Sequence, residues 1–155
     1  MKAETAPTAS IPADLLFAQT SVYDACGFQI TQLTAEAESA AYGAFTFKLN
    51  GLHIIYRIAK ITPTKTGQFV TLWKRSENGP IEPYHTKDKF DYCIVSVSNG
   101  KQAGQFVFPK AVLLEKGVLS DNQKEGKRAI RVYPPCDYAG SKQALKTQAW
   151  QLKYF

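Results

Sequence analysis

Two runs of β-branched and aromatic residues lie on either side of a short polar loop. The runs span residues 54–61 and 68–75, and the loop between them contains Thr, Pro, Lys and Gly. Such side chains fit the half-buried surface of a sheet, so both runs are predicted to be strands. Side chains alternate along a strand, which places one cation on each apolar face of the first run, Arg57 and Lys60. Either their stems pack while their charges reach water, or they hold an anion near the loop.

Further strands are predicted on both sides of this pair. Residues 44–49 alternate and are followed by Asn50-Gly51, a two-residue turn that favours a hairpin. The strands over 44–49, 53–61 and 68–75 are then expected to form an antiparallel meander. The remaining predicted strands cover residues 91–98, 105–108 and 128–133.

Helices are predicted at both ends of the chain and before the last strand. A first packing helix is indicated by an apolar stripe at helical spacing, with its cysteine in the core. Thr34 is expected to cap a short second helix that runs to Ala41. Pro109 begins a helix that Gly117 ends, and Ser141 caps a C-terminal helix. The stripe of the first helix consists of Leu15, Ala18, Val22 and Cys26.

This order of elements predicts an α+β fold. We expect one domain over residues 13–155, with a mixed, mainly antiparallel sheet of about six strands between N-terminal helices and a C-terminal helix. A chain of 155 residues is long enough for one such core. Residues 1–12, rich in Ala, Thr and Pro, are expected to be a disordered lead and not a signal peptide.

The cysteine and hydropathy patterns indicate the cellular compartment that we expect for the protein. No run of 18 apolar residues is present, so no membrane span and no membrane partner are expected. The three cysteines are far apart and odd in number, which argues against a disulfide framework or a structural zinc site. We therefore expect a cytoplasmic protein without a cofactor; its oligomeric state stays open.

Positive charge is concentrated in the later part of the chain. Residues 1–47 hold one cation against five acids, a net charge of −4, whereas residues 48–155 hold 18 cations against 8 acids, a net charge of +10. A basic segment such as residues 48–155 favours the binding of polyanions, because phosphate contacts release the counterions of nucleic acid. Nucleic acid is therefore the expected partner, provided that the cations form one continuous surface.

Four segments of the sequence resemble motifs of the MepB-like family. They are AKITPTKTGQFVTLWKR at 59–75, GQFVFPK at 104–110, KRAIRVYPP at 127–135 and KTQAWQLKYF at 146–155. The likeness extends over nearly the whole chain from about residue 14. The family is small and bacterial, and one member is encoded beside a multidrug efflux pump and its repressor. The resemblance implies a restriction-endonuclease-like fold and nucleic-acid binding.

Nucleases of that fold hold Mg²⁺ with a helix acid, a strand acid and an acid-x-Lys pair. By resemblance, Glu36 or Glu38 would be the helix acid and Asp91 the strand acid. The acid-x-Lys pair is missing from the strand where it is expected, and the one such triplet is Glu125-Gly126-Lys127, in a loop. A magnesium-dependent nuclease with a degenerate or displaced site is therefore the alternative function. Its candidate catalytic residues are Glu38, Asp91 and Lys110.

The first functional hypothesis is nucleic-acid binding through a basic surface, because the motifs contain many cations and few acids. Tyr133 and Trp150 are candidate stacking residues, with core packing as the alternative for each. A third hypothesis is a small-molecule or nucleotide pocket near residues 62–67. The candidate phosphate contacts are Lys60, Lys65, Lys74, Arg75, Lys127, Arg128, Arg131 and Lys146.

Overall fold

The structure is a computed structural model that describes residues 11–155, so most of the predicted disordered lead, residues 1–12, lies outside the described residues. In chain order the strands are β1 (Ile30–Ala35), β2 (Phe45–Leu49), β3 (Leu52–Ile58), β4 (Lys60–Ile61), β5 (Gln68–Thr71), β6 (Trp73–Arg75), β7 (Ile81–Pro83), β8 (Tyr92–Ser98), β9 (Ala103–Pro109) and β10 (Ala129–Val132). The α-helices are α1 (Ala13–Ala18), α2 (Lys110–Glu115) and α3 (Lys142–Gln151). A π-helical turn covers Gln19–Tyr23, and 3-10 turns cover Ala40–Tyr42 and Leu152–Tyr154.

The main sheet has five strands in the order β1-β2-β3-β8-β9. Its two central strands, β3 and β8, pair in parallel, and all its other pairs are antiparallel. The parallel pair requires a long crossover, and that crossover contains β4, β5, β6 and β7. Two of these strands join β10 in a three-stranded sheet, β10-β5-β4, and the other two form a two-stranded sheet, β6-β7.

The predicted α+β class with a mixed, mainly antiparallel sheet is confirmed. The predicted meander is confirmed only in part. β2 pairs with β3, and β4, at the end of the predicted second strand, pairs with β5, both antiparallel. The second neighbour of β3 itself, however, is β8 and not β5. The run over 54–61 is broken at Ala59, whose N–H donates to Ser96 O at 3.0 Å. The run over 68–75 is broken at Leu72, whose N–H donates to Arg128 O at 2.8 Å.

The N-terminal helices differ most from their prediction. A π-helical turn follows α1, and it brings Tyr23 into the core while Val22 stays 51% exposed. Cys26, predicted to be buried, is exposed. The helix predicted after Thr34 is also wrong, because Thr34 lies in β1, opposite Thr46 of β2.

Local signals for turns and caps are confirmed. Asn50 and Gly51 both have positive φ, 49° and 82°, as a two-residue hairpin turn requires. Ser141 Oγ accepts a hydrogen bond from Ala144 N at 3.1 Å and caps α3. Gly117, with φ of 73°, follows α2 closely. Within residues 11–155 no helix is long and apolar enough to cross a membrane.

Each face of the five-stranded sheet has its own core. One face packs against the three-stranded sheet and α3, through residues such as Val95, Phe106 and Phe108. The other face packs against α1, with Ile54 and Tyr56 among its residues. The sheet therefore separates the molecule into two sides, and each side has a sizeable cavity at its edge.

Candidate functional site

A cleft of about 480 Å³ lies between α3 and β10. Its lining includes the segments around Lys116, after α2, and Lys127, before β10. Among residues 11–155, four cations line the cleft and no carboxylate does. A water-filled cleft with charges of a single sign raises the local concentration of ions of opposite sign. These cations are Lys116, Lys127, Arg131 and Lys146.

Two glutamine side chains hold α3 against the end of β10. The buried Gln151 accepts a hydrogen bond from Tyr133 N at 2.9 Å and donates to Arg131 O at 2.8 Å, as a neighbouring strand would. Gln148 donates to Pro134 O at 3.0 Å and to Asp137 O at 3.0 Å. These bonds fix the spacing of the two walls of the cleft.

A glycine allows the loop before β10 to approach the segment after α2. A Cβ on Gly126 would lie 2.2 Å from Val118 O, so no other residue fits this position without movement of the backbone. Lys127 N donates to Val118 O at 2.9 Å, and Gly126 N donates to Ser120 Oγ at 2.8 Å. Lys127 is thereby placed on the same cleft as Lys116.

Arg131 has a structural as well as an electrostatic role. Its guanidinium donates to Thr66 O at 3.1 Å, to Gly67 O at 3.3 Å and to Thr62 Oγ1 at 2.7 Å, so it orders the predicted pocket loop. Gly67 has φ of 81°, and a Cβ there would lie 2.7 Å from a ring carbon of Tyr133. The Tyr133 ring therefore packs directly on this loop.

Trp150 is half-buried in the wall of the cleft. Its ring centroid lies 5.6 Å from that of Phe108, and Lys116 Nζ lies 5.5 Å from the Trp150 ring centroid. The indole therefore anchors α3 to β9 and holds a cation near the cleft. Lys116 is a cleft residue that the sequence did not predict. Its place directly before Gly117, which ends the helix, is the signal that could have indicated a cation held at a fixed surface position.

The other predicted phosphate contacts lie outside the cleft. Lys74 pairs with Asp88 at 2.7 Å, Arg75 with Glu38 at 2.8 Å and Arg128 with Glu125 at 2.7 Å. Their charges are therefore balanced locally, and the predicted basic surface is divided. Two further candidates are exposed: Lys65, in the loop, and Lys60, whose Nζ lies 4.7 Å from the Tyr42 ring centroid.

Comparison with known proteins identifies the family. A sequence model described as MepB-like matches residues 36–155. The chain belongs to the MepB-like family. A crystal structure of MepB is similar over 92% of this chain and 95% of that chain, with 34% sequence identity and a TM-score of 0.80. Comparison with curated proteins gives no match.

In this MepB-like domain the three candidate catalytic side chains have separate partners. Glu38 accepts from Arg75 Nε, and Asp91 Oδ2 accepts from His53 N at 2.8 Å. Lys110 Nζ donates to Asp88 O and lies 5.1 Å from the Phe90 ring centroid. Across residues 11–155 no group of three or more His, Cys, Asp or Glu side chains is arranged to hold a metal ion. The nuclease assignment stays a prediction of the resemblance.

The MepB-like domain also contains a buried charge pair that sequence analysis interpreted differently. Arg57 does not reach water: it is fully buried and pairs with Glu36 at 3.2 Å. It also donates to Tyr56 O at 2.8 Å and to Tyr84 Oη at 3.1 Å. Burial alone would lower the pKa of Arg57, but Tyr84 and Glu36 outweigh it, so the pKa is raised. Inside the core beside β8, the guanidinium of Arg57 is therefore already engaged by Glu36 and Tyr84.

Proposed function

We propose that this MepB-like protein binds nucleic acid in the cleft between α3 and β10. One observation carries the proposal: in the described part of the chain, four cations from three separate segments line one cleft that no carboxylate lines. Elsewhere, by contrast, several cations are paired with acids. Because unpaired cations are the groups that contact phosphates, the cleft is the part of the surface best suited to a polyanion.

The lining of the cleft supports backbone contacts more than base readout. Its cations are a lysine after α2, a lysine before β10, an arginine in β10 and a lysine on α3. Lysine binds phosphate as a point charge and carries little sequence information. Trp150 and Tyr133 are half-buried and packed, so we assign them to the wall of the cleft; that they stack on bases stays a prediction. We therefore propose binding with little sequence preference, in the cytoplasm, where such polyanions are abundant.

The test is a titration of short duplex and single-stranded DNA at two salt concentrations, followed by fluorescence anisotropy. The variant is the double substitution Lys127→Gln and Lys146→Gln, which removes two exposed cations of the cleft. Each lost phosphate contact lowers the log–log salt slope for duplex DNA by about 0.9, so a loss of nearly two units is expected. The double variant should also bind duplex DNA more weakly than the parent protein at low salt.

A matched control has the same loss of net charge, taken from the C-terminal helical segment. Lys142→Gln with Lys153→Gln removes two exposed lysines of the C-terminal helical segment that do not line the cleft. Its salt slope should stay within half a unit of the parent's. Equal slopes for the two double variants would show that only the overall charge matters, and the cleft assignment would be wrong.

Adding Mg²⁺ and plasmid to the parent protein tests the alternative, since a nuclease would convert supercoiled plasmid to open or linear forms.

A further inference from the structure

A second cavity, of about 390 Å³, lies on the other side of the five-stranded sheet. Its walls come from α1, the π-helical turn after α1, and the outer faces of β8 and β9. The cavity exists because α1 has only six residues and packs over β2 and β3, which leaves Val107 of β9 38% exposed. A cavity of this size is large enough for a small organic molecule.

The walls of this cavity are apolar. Phe17 is 60% exposed, Phe28 is 41% exposed, and Val22 on the π-helical turn is 51% exposed, and all three border the cavity with Val107. Scattered exposed apolar residues are normal on a protein surface, but a contiguous group around a concavity marks a binding site. The apolar part of a ligand would cover these side chains.

The floor of the cavity is polar but uncharged. Tyr23 Oη donates to Gln105 Oε1 at 2.7 Å, Gln105 Nε2 donates to Ser96 Oγ at 3.0 Å, and Ser96 Oγ shares a 2.6 Å hydrogen bond with Tyr56 Oη. Burial raises the pKa of both tyrosines, so the hydroxyls stay neutral. These groups satisfy one another and hold the turn against the sheet, so they need no ligand of their own.

Of the residues that the structure describes, Asp14 is the one charged residue that lines the cavity. Within residues 11–155 no lysine or arginine forms an ion pair with it, although the protein as a whole is basic. We infer that this cavity binds a small hydrophobic amine, with its protonated nitrogen beside Asp14 and its hydrocarbon or aromatic body between Phe17, Phe28 and Val107. An anionic ligand would be repelled by Asp14, and a neutral one would gain only the apolar contacts.

The test compares three probes that share one body and differ in their heads: 4-phenylbutylamine, 4-phenylbutanol and 4-phenylbutanoate. Isothermal titration calorimetry at pH 7 measures each affinity, with the amine protonated as a lysine side chain is. We expect the amine to bind about fivefold or more tightly than the alcohol, and the carboxylate to bind weakest.

Two variants and one control assign the binding to this cavity. Asp14→Asn keeps the shape of the side chain and should bring the amine down to the affinity of the alcohol. Asp24→Asn, an exposed acid just after the π-helical turn that does not line the cavity, should leave all three affinities unchanged. Val107→Trp fills the cavity from an exposed strand position and should abolish binding of all three probes.

The proposal is overturned if the three probes bind equally, if none binds up to millimolar concentration, or if Asp14→Asn leaves the preference for the amine intact. Asp14 is a half-buried surface residue, so its substitution tests the proposal even if Val107→Trp disturbs folding. None of these variants lies in the basic cleft, so this proposal can fail while the nucleic-acid proposal stands.

Discussion

Cys93 lies beside the buried Arg57 and is itself fully buried in β8. Burial raises the pKa of the Cys93 thiol from its ordinary value of 9.0 to about 12, although Arg57 nearby lowers it. In the unfolded chain the same thiol ionises near pH 9. The folded state then keeps a proton that the unfolded state loses, so this contribution to stability is complete below pH 9 and disappears as the pH rises towards 12.

We therefore expect the parent protein to lose stability faster than Cys93→Ala does between pH 8 and pH 10. The difference in the free energy of unfolding should change by about 1 kcal/mol over this interval, measured by urea denaturation at several pH values. Cys26→Ala, at an exposed thiol, is the control and should follow the parent. Parallel curves for the parent and Cys93→Ala would show that the thiol titrates alike in both states.

At the scale of elements, the attachment of α3 to β10 depends on one buried amide. Gln151→Leu conserves the bulk of the side chain but leaves Tyr133 N and Arg131 O without their partner. Each buried polar group left unsatisfied costs about 1–3 kcal/mol, so we expect a loss of roughly 2–4 kcal/mol in the free energy of unfolding. Gln143→Leu, an exposed position on the same helix, should change stability by less than about 0.5 kcal/mol. A Gln151→Leu protein as stable as the parent would show that the helix docks through apolar contacts alone.

The elements differ in how far the sequence predicted them. Asn50-Gly51 and Ser141 act within four residues, so their turn and cap were predictable from short-range chemistry. The pairing of β3 with β8 was not, because strands 34 residues or more apart compete with nearer partners and only the tertiary core decides. Tyr23 has a local reason instead: it becomes buried because a π-helical turn shifts the helical register after α1.

The candidate site was predictable only in part for the same reason. Lys127, Arg131 and Lys146 were identified as cations of the right type, and the structure brings them to one cleft. Lys74 and Arg75 looked equivalent in sequence, but their carboxylate partners come from 14 and 37 positions away. Net charge is a property of composition, whereas a continuous basic surface depends on which acids the fold brings to each cation.

At the scale of the whole molecule, the five-stranded sheet lies between the basic cleft and the apolar cavity, and none of residues 11–155 lines both. Two sites that share no described lining residue are coupled mainly through long-range charge, which physiological salt screens over about 8 Å. We therefore expect saturating 4-phenylbutylamine to change the dissociation constant for a short duplex by less than about twofold.

Anisotropy titrations with and without the amine measure this coupling, and the reverse experiment must return the same factor because linkage is reciprocal. A factor above about fivefold would show that the sites are connected, and β9 is the element that would connect them. Its Phe108 contacts Trp150 in the wall of the cleft, whereas the adjacent Val107 borders the cavity on the opposite face. Such an effect could come from amine bound in the cavity or from free amine acting on the DNA, and Val107→Trp distinguishes the two. Because it blocks the cavity, it must remove the first effect and leave the second unchanged.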